Sequence, residues 1–260
     1  MTKIYDSYED EPEDVFIALD SSTYAHFYNQ EMKEFDADLP FYTERLSPQT
    51  QILELGCGGA RLSRLLLEQG HLVTGIDLSC EMLEIAKKIA PQGTFIAANI
   101  CNFDINHSFD AIIAPYNVLN LLSSKEDIGN CLATCHKHST NKTLLLIEVY
   151  TQDGSIAEGE KSFQFQVFPH PEKGRLVKEI VRTYKKDSIQ IEERYRSRPI
   201  NGDFTDYSHT FSINAFNLKF WQDILDEYGF KTLSCIHQYP PEPQTDSTNG
   251  KTLITAQVRK

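Results

Sequence analysis

Residues 51–61, with the sequence QILELGCGGAR, constrain the fold more than any other stretch, because they run from a buried strand through a glycine-rich turn straight into a helix. Ile52, Leu53 and Leu55 supply the strand, and Leu62, Leu65 and Leu66 begin a helix at helical spacing. Gly56, Gly58 and Gly59 leave no Cβ between them, so a ligand can approach the backbone closely. Glu54 narrows what that ligand is. A dinucleotide rests its pyrophosphate on the positive end of the helix, where a carboxylate two residues before the first glycine is unfavourable. The same carboxylate suits a ligand that carries an ammonium group.

The following elements repeat the pattern. A helix over Leu62–Gln69 is stopped by Gly70, and His71–Ile76 forms a second strand ending in Asp77, nineteen residues after Gly58. An acid at that place in a doubly wound sheet holds a ribose diol. Ser79 caps the next helix, which runs to Ala90, and Met82 in its first turn is read as a core residue. Strands are expected at Thr94–Ala98 and Phe109–Ala114, a helix at Lys125–His138 and a fifth strand at Thr143–Val149. Sustained alternation of this kind specifies a parallel sheet covered on both faces. Ligands in such folds lie beyond the carboxyl ends of the strands. That places Pro115, Tyr116 and Asn117 near the reacting end of a bound molecule, although Tyr116 and Asn117 also suit a simple turn. Glu148 and Tyr150 end the fifth strand on the same rim, and Glu148 is a candidate general base or acceptor-positioning group.

Net charge is −12, of which −9 falls within residues 1–46, where twelve acidic residues face Lys3, Lys33 and Arg45. The chain therefore lacks the extended basic face that a nucleic-acid partner requires. No apolar run reaches the ~18 residues of a membrane span, and the acidic start does not resemble a leader peptide. Six cysteines are scattered without a pairing framework, which agrees with a reducing, cytoplasmic setting. Cys131, Cys135 and His138 lie close together on one helix, but no fourth ligand accompanies them and no metal site is expected.

Residues 1–14 are read as frayed. Val15–Phe35 carries Phe16, Leu19, Tyr24, Phe27 and Tyr28 at helical intervals, and a further helix over Ala37–Leu46 holds Pro40 in its first turn. Together residues 1–46 are expected to form an acidic helical cover on an α/β core of residues 47–152. After Thr151 the pattern changes to strand-like runs at Ser162–Phe168, Arg175–Tyr184, Ile189–Arg198 and Tyr207–Ile213, an antiparallel insertion spanning 153–213. Along the third run Arg194, Arg196 and Arg198 share a face. These arginines are either solvated or ion-paired with the acidic N-terminal segment, or they recognise an anionic acceptor, in which case Arg198 and His209 stand nearest the core. Residues 214–260 return to the core with Asn214 as a helix cap, a helix bearing Phe216, Phe220, Ile224 and Leu225, and strands at Phe230–Gln238 and Thr252–Val258 joined by the turn PPEPQTDSTNG.

The spacing E-x-G-x-G at Glu54–Gly58, the acid at Asp77, the DLPFY segment before the turn, and a closing helix with two strands together resemble the class I S-adenosylmethionine methyltransferases of the small-molecule type. The resemblance covers nearly all of Tyr24–Lys260. It implies a Rossmann-like doubly wound sheet and direct in-line transfer of the methyl group of S-adenosylmethionine to a small-molecule acceptor. It further implies that Glu54, Gly56, Cys57, Gly58, Ala60 and Arg61 line the cofactor together with Asp77 and Leu78. Met82, Asn99 and Ile100 are then assigned to the adenine side, and Pro115 and Asn117 to the methyl side. Tyr24, and less directly Tyr28, would close over the sulfonium, which an aromatic face attracts as it does other cations. Glu148, His209 and Tyr24 are the catalytic candidates; a base is needed only where the acceptor nucleophile is protonated. The sequence departs from the usual pattern at Gly59-Ala60, where Thr-Gly is common, and at Asn99, where Asp is common; somewhat weaker cofactor affinity is the expected cost. Two other classes remain, a non-catalytic protein that binds the same cofactor and a nucleotide-binding oxidoreductase.

Overall fold

The computed structural model describes residues 15–239 and 250–259. The expected fraying of residues 1–14 and the turn that begins at Pro240 lie outside these residues. A seven-stranded sheet forms the centre. Its parallel part is built from β2 (Gln51–Leu55), β3 (Leu72–Asp77), β4 (Thr94–Ala97), β5 (Phe109–Ala114) and β6 (Ser139–Thr151). Two antiparallel strands close it, β11 (Phe230–Ile236) and β12 (Gly250–Val258), giving the order β11-β12-β6-β5-β2-β3-β4. Connecting helices are α3 (Arg61–Glu68), α4 (Cys80–Ile89), α5 (Lys125–Lys137) and α6 (Leu218–Glu227). No helix among the described residues is long and apolar enough to cross a membrane.

The pleat explains why these strands read as continuous apolar runs. Leu53, Leu55, Ile112 and Leu145 pack on one side of the sheet with Trp221 and Phe230, while Ile52, Ala111, Ile113 and Leu146 pack on the other with Leu62 and Leu66. Successive side chains point to opposite faces, and both faces are buried. Because β2 pairs with β3 on one side and β5 on the other, the strand order reverses there, which opens a crevice beyond the carboxyl end of β2.

The insertion is a second sheet of β7 (Lys161–Pro169), β8 (Gly174–Tyr184), β9 (Ser188–Pro199) and β10 (Thr205–Asn214), all antiparallel. A fifth member comes from the N-terminal segment. Ile17 and Ala18 form β1, which pairs in parallel with Tyr207 and Ser208 of β10. The continuous helix expected from Val15 is therefore shortened to α1 (Ser21–Met32). The reason is local: Asp20 caps it, accepting from the Thr23 backbone N–H at 2.9 Å and the Thr23 hydroxyl at 2.7 Å. The second helix of the cover, α2 (Leu39–Thr43), is a single turn or so with Pro40 near its start, shorter than the ten residues expected.

A second correction concerns Asn214. The cap of α6 is Asn217, whose side chain accepts from Phe220 N–H at 2.8 Å. Asn214 ends β10 and is buried, donating to the carbonyls of Leu119 and Leu122 at 3.2 and 3.1 Å. Asn120, fully buried beside it, donates to Tyr150 O at 2.9 Å and Asn214 O at 2.8 Å, and accepts from Tyr150 N–H at 2.9 Å. This asparagine pair ties the insertion to β6. Asn120→Ala leaves several buried backbone groups without partners and is expected to cost about 2–3 kcal/mol, measured as a lower urea midpoint at unchanged slope.

Candidate functional site

The glycine turn is built from left-handed backbone. Gly56 has φ 62° and Gly58 φ 51°, values that side chains with a Cβ rarely adopt. A Cβ on Gly56 would also strike the Val118 side chain at 2.1 Å, and one on Gly59 would lie 2.7 Å from Asn29 Oδ1 of α1. Gly58 faces open space, with only Met82 Sδ at 4.0 Å from such a position. Asp77, at the end of β3, accepts from Gly58 N–H at 2.8 Å and Ser79 N–H at 2.9 Å, which fixes its carboxylate against the turn. Ser79 caps α4 by accepting from Met82 N–H at 3.1 Å.

Above the turn lies a cavity of about 860 Å³ that extends from Gly56–Gly59 to the inner face of β8, β9 and β10. On the core side it is lined by Glu54, Gly56, Cys57, Gly58, Arg61 and Asp77, with Met82 and Pro115 beside them. Tyr24, Asn117 and Glu148 line it as well. Of the remaining sequence candidates, Ala60, Leu78, Asn99, Ile100 and His209 are not brought to it.

Each of those has a local cause. Ala60 holds a left-handed conformation (φ 63°) and its methyl packs with Ala86 and Ala90, so the missing glycine costs about 1 kcal/mol of backbone strain instead of a ligand contact. Leu78 is 71% exposed. The Asn99 side chain accepts from Cys101 N–H at 2.9 Å, closing a turn, and Ile100 packs into the core. His209 sits on the Tyr24 and Phe211 rings, each centroid 5.3 Å away. The three arginines of β9 pair within their own sheet and not with the acidic N-terminal segment: Arg194 with Glu192, Arg196 with Glu179 and Asp206, and Arg198 with Asp206. None of them lines the cavity. Cys131 and Cys135 are buried in α5, and both His138 ring nitrogens are engaged, by Thr134 O and Ile105 N–H.

Arg61 lines the cavity, yet its guanidinium is committed to Asp38, to both oxygens at 2.7 and 2.5 Å, and to Phe35 O at 2.9 Å. Across from it, Tyr116 and Asn117 both have positive φ, 50° and 61°. Asn117 Oδ1 is buried with no protein donor. Strain and an orphaned acceptor together at the end of β5 mark a place where backbone geometry serves a ligand.

Residues 52–141 match the family described as a methyltransferase domain. The chain carries a methyltransferase domain in the class I Rossmann-like fold and is an S-adenosylmethionine-dependent methyltransferase. A protein of Geobacillus sp. (strain WCH70) described as a methyltransferase is 24% identical over 238 residues, covering 87% of this chain and 95% of that one. Among solved structures, an S-adenosylmethionine-dependent methyltransferase from Clostridium acetobutylicum superposes with a TM-score of 0.74 at 17% identity, covering 91% of this chain and 98% of that one. A sugar N-methyltransferase from Streptoalloteichus superposes with a TM-score of 0.72 at 17% identity, covering 100% and 99%.

The residues of this methyltransferase fit the cofactor. The glycine cradle leaves room at Gly58, Asp77 keeps acceptor capacity for a diol after its two backbone bonds, and the Glu54 carboxylate faces the cavity. What the sequence did not single out is the far wall, where Glu31, Lys178 and Glu193 reach the cavity, and Tyr239, which lines it beside Glu148 on the core side. A signal for Glu193 was present: it sits between Ile191 and Tyr195 on the apolar side of β9, where a charge is out of place. Glu31 follows Tyr24 by seven residues and Tyr28 by three, which puts all three on one helix face.

Two carboxyls of the methyltransferase are held unusually high. Burial pushes Glu54 up to about 7, with the Ser63 hydroxyl that donates to it and the Arg61 charge opposing. Burial likewise pushes Glu148 up to about 7, against the Tyr239 hydroxyl that donates to it at 2.8 Å. In the unfolded chain both titrate near 4.5. From about pH 4.5 to 7 the folded protein therefore retains protons that the unfolded chain has released, and this contribution to stability is lost as pH rises through the window. Urea unfolding of the ligand-free protein at constant ionic strength is expected to show falling stability from pH 5 to 7.5, with a shallower slope for Glu54→Gln.

Proposed function

We propose that this methyltransferase acts on a small molecule held between α1 and the inner face of the insertion sheet. The observation that carries the reading is the continuity of the cavity, which joins the glycine turn to β8, β9 and β10 without an intervening wall. When bound, S-adenosylmethionine supplies a methyl carbon on a sulfonium that an acceptor displaces in line. Glu54 is assigned to its ammonium end and Asp77 to its ribose diol. Met82 lies on the adenine side of the turn, and Pro115 and Asn117 stand at the methyl end, where the Tyr24 ring faces the positive charge. The sugar N-methyltransferase from Streptoalloteichus shares the whole architecture, including the insertion, which supports an acceptor of comparable size.

Little covalent chemistry falls to the protein. Holding donor and acceptor in line and excluding water supplies most of the effect, on the order of 7–11 kcal/mol for well-oriented partners. The insertion sheet and α1 perform this by closing the cavity on the side away from the core. Glu148 is assigned to orienting the acceptor; with its carboxyl near 7 and Tyr239 donating to it, it is able to accept a proton at neutral pH.

Calorimetric titration with S-adenosylhomocysteine tests the reading. Wild type is expected to bind, and Asp77→Ala to bind about tenfold to a hundredfold more weakly, the worth of hydrogen bonds to a charged group. NAD is expected not to compete. Failure of wild type to bind, or displacement by NAD, would sink the assignment.

A further inference from the structure

The far wall of the cavity carries a charge arrangement of its own. Lys178 of β8 is only 2% exposed, and its ammonium lies 2.7 Å from Glu31 of α1 and 2.7 Å from Glu193 of β9. One cation is shared by two carboxylates, so the ionised group keeps one negative charge. Both oxygens of Glu193 are engaged, Oε1 by Lys178 and Oε2 by the Tyr195 hydroxyl at 3.1 Å. Lys178 engages Oε2 of Glu31. Glu31 is thus the member of the group with an oxygen to offer.

Three tyrosines share the same space. Tyr24 and Tyr28 stack with centroids 5.8 Å apart, and Tyr116 lines the cavity with them. Burial raises all three hydroxyls above their ordinary value, Tyr116 to about 12, and the Glu31 charge pushes each in the same direction. The local field is negative despite Lys178. Of the other cations lining the cavity, Arg61 is neutralised by Asp38, while Arg182, bonded to the Gln164 amide at 3.0 Å, and Lys251, over the Tyr239 ring, keep their charge beside Tyr150 and Glu148, away from Glu31.

We propose that the acceptor is an amine, which enters as an ammonium, donates to Glu31 and is faced by the Tyr24, Tyr28 and Tyr116 rings, while Lys178 and Glu193 hold Glu31 in position. The inference rests on the reading of this cavity as the acceptor site. Aromatic faces and a carboxylate are the combination that recognises organic cations. An anionic acceptor meets like charge here, and an alcohol would have to lose its proton into a negative field.

The chemistry balances without a further reactant. An ammonium has no lone pair, so one N–H proton passes first to the Glu31 carboxylate, whose buried position makes it a stronger base than an exposed glutamate. The freed lone pair forms the bond to the methyl carbon as the carbon–sulfur bond breaks and its electrons stay on sulfur. A methylated ammonium and a neutral thioether result, and the proton on Glu31 leaves to solvent.

The full-length protein saturated with S-adenosylhomocysteine is titrated with cyclohexylamine, cyclohexanol and cyclohexanecarboxylate at pH 7.5. Cyclohexylamine is expected to bind about tenfold or more tighter than the alcohol, with the carboxylate weakest. Glu31→Gln should remove that preference while S-adenosylhomocysteine still binds within about twofold of wild type, since Glu31 is not assigned to the donor. Equal binding of the three ligands, no binding of the amine, or an unchanged preference in Glu31→Gln overturns the proposal. The wild-type ranking decides it even if the variant does not fold. Failure of wild type to bind S-adenosylhomocysteine would instead overturn the donor assignment, so the two readings fail separately.

Discussion

The buried ion pair between Arg61 and Asp38 is the contact on which the site depends. Asp38 has no exposed surface, and Arg61 is the first residue of α3, immediately after the glycine turn. The pair therefore joins the cover to the cradle at its most constrained point, and the Phe35 ring stacks on the guanidinium at 4.8 Å. Removing one member leaves an uncompensated charge in the interior, a loss on the order of 3–5 kcal/mol. The net gain over an apolar pair is far smaller, because both charges were taken out of water. What the arrangement secures is register. It sets where α1 lies, and with it Tyr24, Tyr28, Asn29 and Glu31.

From that anchor the cover reaches both halves of the molecule. Asn29 packs at Gly59, close enough that a methyl there would collide. Two residues further on, Glu31 meets Lys178 of the insertion, and at the other end β1 joins the insertion sheet through Tyr207 and Ser208. One short helix thus contacts both the glycine turn and the insertion-sheet side of the cavity. The chain order of core, insertion and core is made into one enclosure by a segment that precedes them all.

Much of this was legible in the sequence wherever local chemistry agreed with the global fold. The glycine turn, the strand that ends in Asp77, the Ser79 cap and the alternation of β9 are each specified by residues within a few positions of one another. What escaped did so because its meaning is set by distant partners. Ile17 and Ala18 read as part of a helix, since nothing near them reveals that β10 offers an open edge. Asn214 has the composition of a cap, and only the proximity of Asn120, Leu119 and Leu122 gives it another task. For Arg194, Arg196 and Arg198 the sequence left pairing and ligand recognition open; Glu192 of the same strand takes the first, and the neighbouring strands bring Glu179 and Asp206 to the other two. Glu193 was visible as a misplaced charge on an apolar face, yet the cation that pairs with it, Lys178, lies on β8 and is shared with Glu31 of α1.

The asparagine pair has a consequence for how such enzymes diversify. Asn120 and Asn214 meet where the insertion returns to the core, and they satisfy one another together with backbone groups of β6 and the turn after β5. The joint needs nothing from the middle of β7, β8 or β9. Side chains there that do not meet α1 can therefore vary without loosening the joint, and that wall of the cavity can be recut while the glycine turn stays in place.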